Sequence, residues 1–258
     1  MSSAAMTVRQ VRYTNKAFWR NPASAFFTFA FPLMFLVIFT ALLGSGTVLL
    51  HGREFNQSTY YVASMAAFSV ITACYTNIAM SVTFARDAGI LKRVRGTPLP
   101  GPSYLAARVL HATAIAVLLV ALCAAFGAAF YGADVPTGTG LLRTIAVVLV
   151  GAASFSALGL ALTGIIPNAD AGPPITNATV LPLLFISGVF IPLGDHTPRW
   201  IDVVGRIFPV RHFLDAVMGA FYGKPFFDFS WADVGVVALW GLAGLVVAAR
   251  FFSWEPRR

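Results

Sequence analysis

Acidic residues are scarce in this chain: ten Asp and Glu stand against eighteen Lys and Arg in 258 residues, and charge of either sign makes up only 11% of the sequence. With 58% hydrophobic residues and a mean hydropathy of +0.77, a water-soluble domain would have nowhere to hide its apolar surface. Lysine is rarer still. Lys16, Lys92 and Lys224 are the whole set, and none stands in the Gly-rich context followed by Ser or Thr that cradles nucleotide phosphates. The two cysteines, Cys74 and Cys123, cannot build a disulfide framework or a metal cluster. His51, His111, His196 and His212 lie outside the centres of the apolar segments and at no ligand spacing, so metal binding has no support. The chain is expected to bind no cofactor of its own.

Charge is also missing from whole segments: 25–43, 60–84 and 175–192 contain no Asp, Glu, Lys, Arg or His. Ion-coupled transporters usually hold such residues at membrane depth to carry the coupling ion, so a transporter of this composition must draw its energy from a separate ATPase subunit. Paired carboxylates or a catalytic triad would have to be assembled from loops alone.

What is present is length without charge. Crossing about 30 Å of hydrocarbon at about 1.5 Å per residue takes roughly 20 apolar residues. Six segments qualify, at 25–43, 60–84, 105–131, 141–166, 175–192 and 231–249. Alternating strands of about ten residues are absent, which excludes an outer-membrane barrel. The fold expected is an all-α polytopic membrane protein: a cytoplasmic interfacial helix over 1–24, a six-span domain over 25–252 and a cytoplasmic tail over 253–258. Orientation follows from Lys and Arg, which are retained on the cytoplasmic side. Arg9, Arg12, Lys16, Arg20, Arg86, Lys92, Arg93, Arg95, Arg108, Arg250, Arg257 and Arg258 fall on one side with only Asp87, Asp170 and Glu255. Arg53, Arg143, Arg199, Arg206, Arg211 and Lys224 fall on the other with the seven remaining acids. Both termini are therefore expected in the cytoplasm. The net charge of +8 is answered by topology and anionic headgroups, with no nucleic-acid partner. An Arg-over-Lys, Ala-rich composition fits a GC-rich bacterium.

Arg9, Arg12, Lys16 and Arg20 share a helical stripe, with Val8, Val11, Phe18 and Trp19 set opposite, as in a helix lying along the inner leaflet. The segment 84–102 reads as a helix ending at Gly96 before Pro98, Pro100 and Pro102. Ile90, Leu91 and Val94 form its apolar ridge, while Lys92, Arg93 and Arg95 face water or lipid phosphate. A polar stripe for a translocation path is read at Met65, Ser69, Thr72, Thr76, Met80 and Thr83, which recur at three- and four-residue spacing. The alternative is that these Ser and Thr bond their own backbone or a neighbouring helix. Thr176, Asn177 and Thr179 are a second candidate lining. Ala124, Ala128 and Gly132, and Ala153, Ala157 and Ala161, are small residues at four-residue spacing that let helices approach.

The outer segment 193–229 is too polar to span, and Pro192, Pro198 and Pro209 divide it into short amphipathic pieces led by Trp200, Ile201 and Val204. Its neighbourhood runs SGVFIP (187–192), then PRWI (198–201), then FPVRHFLDAV (208–217), and this pattern resembles the C-terminal signature of the type 2 ABC exporter permeases, nearest to those of the daunorubicin and doxorubicin resistance type. The resemblance covers nearly the whole chain. It extends to Arg86, Asp87, Gly89, Leu91, Lys92, Arg93, Thr97, Pro98 and Leu99, where family members carry an Arg-Glu pair, a Gly, a Leu with basic residues and Thr-Pro-Leu. Asp87 replaces the usual Glu, and Ala88 stands where a charged residue is common.

The resemblance implies that this stretch and the loop 167–174 form the surface coupled to an ABC ATPase, present as two copies that bind ATP and Mg. It also implies that the second and fifth spans line the cleft of a permease dimer, most simply a homodimer. Outer re-entrant helices would cap the path, with Pro192, Trp200, Pro209 and Phe213 as gate residues. The activity implied is export of an amphipathic drug, lipid or secondary metabolite by alternating access across a bacterial cytoplasmic membrane. Three alternatives stay open, the first two being a polysaccharide or polyol-phosphate exporter of the same family, and a lipid-modifying enzyme using the outer Asp195, His196, Asp202, His212 and Asp215. A membrane scaffold or channel without chemistry is a third.

Overall fold

A computed structural model describes residues 2–43, 46–50, 53–193, 197–222 and 227–255. His51, Asp195, His196, Lys224, Arg257 and Arg258 lie outside the described residues. The chain is helical, with α1 Ser3–Trp19, α2 Pro22–Leu43, α3 Gln57–Ile71, α4 Asn77–Asp87, α5 Ile90–Arg95, α6 Gly101–Tyr131, α7 Thr139–Thr163, α8 Gly172–Ile186, α9 Arg199–Ile207, α10 Pro209–Tyr222 and α11 Trp231–Phe251. A two-stranded antiparallel ribbon, β1 Thr47–Leu50 and β2 Arg53–Asn56, joins α2 to α3 with Thr47 opposite Asn56.

Among the described residues five helices are long and apolar enough to cross a membrane: α2, the continuous Gln57–Asp87 helix that contains α3 and α4, α6, α7 and α11. The helix at the place of the fifth span, α8, is apolar but has only 15 residues. At about 1.5 Å per residue it covers about 22 Å, short of a 30 Å hydrocarbon layer. Ser187 and Gly188 end it, because Gly188 takes a left-handed φ of +86° that turns the chain sharply. Hydropathy does not show that stop, since 187–192 is as apolar as the helix before it, and only the Ser-Gly pair marks it.

Gln57–Asp87 is the most enclosed of the crossing helices, and every residue from Ser58 to Ile71 is buried. It passes between α6, α7 and α10. Glycines make close approaches: Gly127 of α6 rests on Val62, Gly151 of α7 on Phe213, Gly159 of α7 on the backbone of Tyr75, and Gly241 of α11 on Ser154. The small-residue rows read from sequence hold in part, since Ala157 meets Gly244 of α11 and Ala124 and Ala161 pack against the core. Ala128, Gly132 and Ala153 are exposed, because a four-residue spacing marks a face without saying which way it points. Residue 159 is the most constrained. A methyl there would sit 2.6 Å from the Tyr75 carbonyl oxygen, which belongs to the backbone and cannot turn aside. Gly159→Ala is expected to destabilise the detergent-solubilised chain by about 1–3 kcal/mol, read as a lowered midpoint of thermal unfolding. Gly235→Ala, where nothing lies within 4 Å, is expected to leave the midpoint unchanged or raise it.

Candidate functional site

One end of the bundle collects the N-terminus of α6, the C-termini of α4, α7 and α11, and all of α1 and α5. Trp254 lies against Gly101, Phe251 against Gly164 and Ser3 hydrogen-bonds Ser103 at 2.8 Å. The basic stripe of α1, Arg9, Arg12, Lys16 and Arg20, is exposed on this end together with Lys92, Arg93, Arg95 and Arg250. The inward face of α1 is Gln10, Val11, Thr14 and Phe18, with the Phe18 ring 5.4 Å from that of His111 on α6. Val8 and Trp19, grouped with that face from sequence, are exposed at its flank.

Arg86 organises this end. It is 1% exposed, and its Nη1 donates to the Thr163 carbonyl at 2.8 Å while Nη2 donates to Ile166 at 2.6 Å and reaches Pro167 at 3.4 Å. These carbonyls belong to the C-terminus of α7 and the turn after it, where helix groups lose their intrahelical donors and partial negative charge accumulates. Asp87 completes the tie, its Oδ2 accepting the Ala169 N–H at 2.6 Å, and Asn168 caps the Ala171 N–H at 2.9 Å. Arg86 and Asp87, read from sequence as facing a partner, are thus turned onto the loop 164–171.

Gly89 then breaks the helix in a left-handed conformation at φ +68°, where the sequence pattern runs on unbroken to Gly96. The short α5 is pinned by buried Leu91, whereas Ile90, Lys92 and Arg93 are exposed. Thr97 Oγ1 donates to Val94 and accepts from Leu99 N–H, and Pro98 is exposed beside it.

The polar stripe of the second span divides. Met65 and Ser69 are fully buried, with the Ser69 hydroxyl on the Met65 carbonyl at 2.6 Å and close to Cys123 of α6. Thr72, Thr76 and Met80 instead line an open groove of about 870 Å³ between α2, α4 and α8, where Asn177 also lies. Thr83 is buried beside Gly172. The cause is a π-helical turn, Thr72–Thr76, closed by Asn77 N–H onto the Thr72 carbonyl. Such a turn holds one residue more than an α turn, so residues beyond it sit about 100° behind the phase counted from sequence. Thr176 is buried, and Thr179 is bonded to the Tyr75 hydroxyl at 2.8 Å, so of the second candidate lining only Asn177 reaches the groove.

At the opposite end, the SGVFIP segment is the joint between spans. The Gly188 carbonyl accepts the Tyr60 hydroxyl at 2.5 Å, and the Phe190 ring lies within 6 Å of those of Phe35, Phe39, Phe68 and Phe185. Pro192 is half-buried, Trp200 is 63% exposed with Val203 and Ile207 on the same stripe of α9, and Pro209 is buried. Phe213 is in the core between Gly151 and Phe155. The Ile207 carbonyl accepts from Trp240 Nε1 at 3.1 Å, and Trp240 is nine residues into α11, about 13 Å from its start.

The described members of the outer acid and histidine set are engaged in pairs, Asp202 with Arg206, Asp215 with Arg211, and His212 with Asp233, and Arg206, Arg211, Asp215 and Asp233 border one pocket of about 360 Å³. Burial pushes the Asp215 carboxyl up despite Arg211 at 3.1 Å. Among the described residues no three of His, Cys, Asp and Glu converge on a metal position.

Arg86→Ala leaves three carbonyls without their donor, and a loss of about 3–5 kcal/mol in stability is expected, measured by thermal unfolding. Asp87→Ala is expected to speed hydrogen exchange of the Ala169 amide roughly tenfold or more with little change in overall unfolding.

The family model described as "ABC-2 type transporter" matches residues 5–222. A Bacillus subtilis (strain 168) protein described as "Putative transport permease YvfS" is 25% identical over 194 residues, which cover 75% of this chain and 76% of that protein.

Proposed function

Because the chain belongs to the ABC-2 type transporter family, we propose that it is the permease subunit of an ATP-driven exporter of amphipathic molecules. Two copies would form a homodimer of twelve spans, joined on the cytoplasmic side to two copies of an ATPase subunit that holds ATP and Mg. The observation that carries this reading is the clamp of Arg86 and Asp87 onto the loop 164–171. It makes one body of α4, the Gly89 corner and the connection from α7 to α8, so a push on α5 is delivered to both walls of the groove. Exposed Lys92 and Arg93 would meet acidic groups of the ATPase, while Leu91 holds α5 in place. Both termini are cytoplasmic in this reading, which agrees with the basic residues gathered at that end.

In this reading the fifth span is α8 extended by 187–192, with α9 and α10 re-entrant beside it. The depth of Ile207 along α11 and the exposed apolar stripe of Trp200, Val203 and Ile207 support that placement. An amphipathic drug, lipid or secondary metabolite fits the groove better than a polysaccharide or polyol phosphate, because Phe27, Phe31, Met80 and Leu181 give its wall an apolar character that a hydroxyl-rich chain could not use.

The test is ATP hydrolysis in proteoliposomes that contain the chain and its candidate ATPase, with a panel of amphipathic compounds. Wild type is expected to show stimulated hydrolysis. Asp87→Ala is expected to lower the stimulation several-fold, and Gly89→Pro to abolish it, since proline cannot adopt the left-handed φ of the corner. An ATPase that neither copurifies with the chain nor changes rate in its presence would sink the proposal.

A further inference from the structure

Arg108 is a cation without an acid. Counted from sequence among the loop cations, it lies in the α6 helix, seven residues beyond Gly101 and about 10 Å along the axis. Its Nε and Nη2 donate to the Tyr104 hydroxyl at 3.0 and 2.6 Å, and its guanidinium carbon is 5.0 Å from the Tyr104 ring centroid. A guanidinium has five N–H donors, so three remain. Among the described residues no carboxylate lies within ion-pair distance of it.

The side chain borders two cavities at once. One is the groove of about 870 Å³, and the other is a space of about 370 Å³ between α1, α4 and α6, lined by Gln10, Thr14 and His111 among others. Asn77 and Ser81 border both, and among the described residues no Asp or Glu lines either. A single unpaired charge therefore faces a space whose far wall is Phe27, Phe31, Met80 and Leu181. In a medium of low dielectric constant that charge is worth far more to an anion than it would be in water.

We propose that Arg108 is the headgroup-binding residue of the groove and that the cargo is an amphiphile with an anionic phosphate or carboxylate head. The head takes the forked N–H donors of Arg108 with Asn77 and Ser81 beside it, and the tail lies along Phe31 and Met80. With α6 about 46 Å long, a position about 10 Å from its end lies at the inner edge of the headgroup layer, so such a molecule reaches the site sideways from the leaflet with its charge kept at the edge of the hydrocarbon. The direction of movement rests on the exporter reading. The binding does not.

The test is equilibrium binding to the full chain in phosphatidylcholine nanodiscs without any ATPase. Three probes share a pyrenyl-dodecyl tail and carry a phosphate, a glucoside or a trimethylammonium head. The phosphate is expected to bind at least about tenfold tighter than the other two. Arg108→Gln should erase that preference and leave glucoside binding unchanged, Arg108→Lys should keep part of it, and Arg250→Gln, an exposed cation at the same end, should keep all of it. The lysine variant decides the matter if the glutamine variant does not fold. Equal binding of the three heads, a preference that survives in Arg108→Gln, or displacement of the probe by millimolar inorganic phosphate would each overturn the proposal. Arg108-dependent binding with no ATPase response would remove the exporter reading alone, whereas an ATPase response indifferent to Arg108 would remove this site alone.

Discussion

A buried guanidinium is tolerated only where acceptors are already fixed around it, and the end of α7 supplies them. Helix termini leave carbonyls without donors, and in a membrane protein no water reaches into the bundle to meet them. Arg86 answers that deficit with three contacts, and the deficit in turn holds Arg86 in place. Neither partner is stable alone in that position. The second and fourth crossing helices are therefore fastened at one end by electrostatics, while at their middles they meet through Gly159 against the Tyr75 backbone.

The rest of the architecture hangs from that fastening. With the central helix enclosed by α6, α7 and α10, α2 and α8 are left as thinly attached outer pieces that meet each other mainly through the aromatic rings around Phe190. The groove is the space they fail to close. Its lining mixes amides and hydroxyls, Asn77, Ser81, Thr76 and Asn177, with the rings of Phe27, Phe31 and Phe84.

Much of the fold was legible in the residues because hydrocarbon imposes a coarse rule, about 20 apolar residues per crossing, that composition reveals directly. Five of the six segments became long helices with ends close to those expected. The fifth did not, since a stop made by one left-handed glycine, Gly188, leaves no mark in hydropathy. Arg86 and Asp87 were visible as a pattern, but their direction was not: charged residues beside a basic loop look solvent-facing until the carbonyls of 163–167 are placed over them. Arg108 lies inside the apolar segment 105–131, but a sequence reading counts it only among the basic residues that set orientation, and which space its side chain borders depends on the packing of α1, α2 and α4 around α6. The division of the stripe from Met65 to Thr83 could not be read at all, because α periodicity was assumed through a turn that departs from it.

That turn also decides where this helix can change length during descent with modification. A residue lost anywhere else between Gln57 and Asp87 would swing everything downstream through about 100°, carrying Arg86 away from its carbonyls and Met80 away from the groove. A residue lost within Thr72–Thr76 would leave a plain α-helix with both flanks aligned as before, since the surplus residue is what the wide turn absorbs. Homologues that differ by a single deletion in this helix should therefore carry it at those five positions.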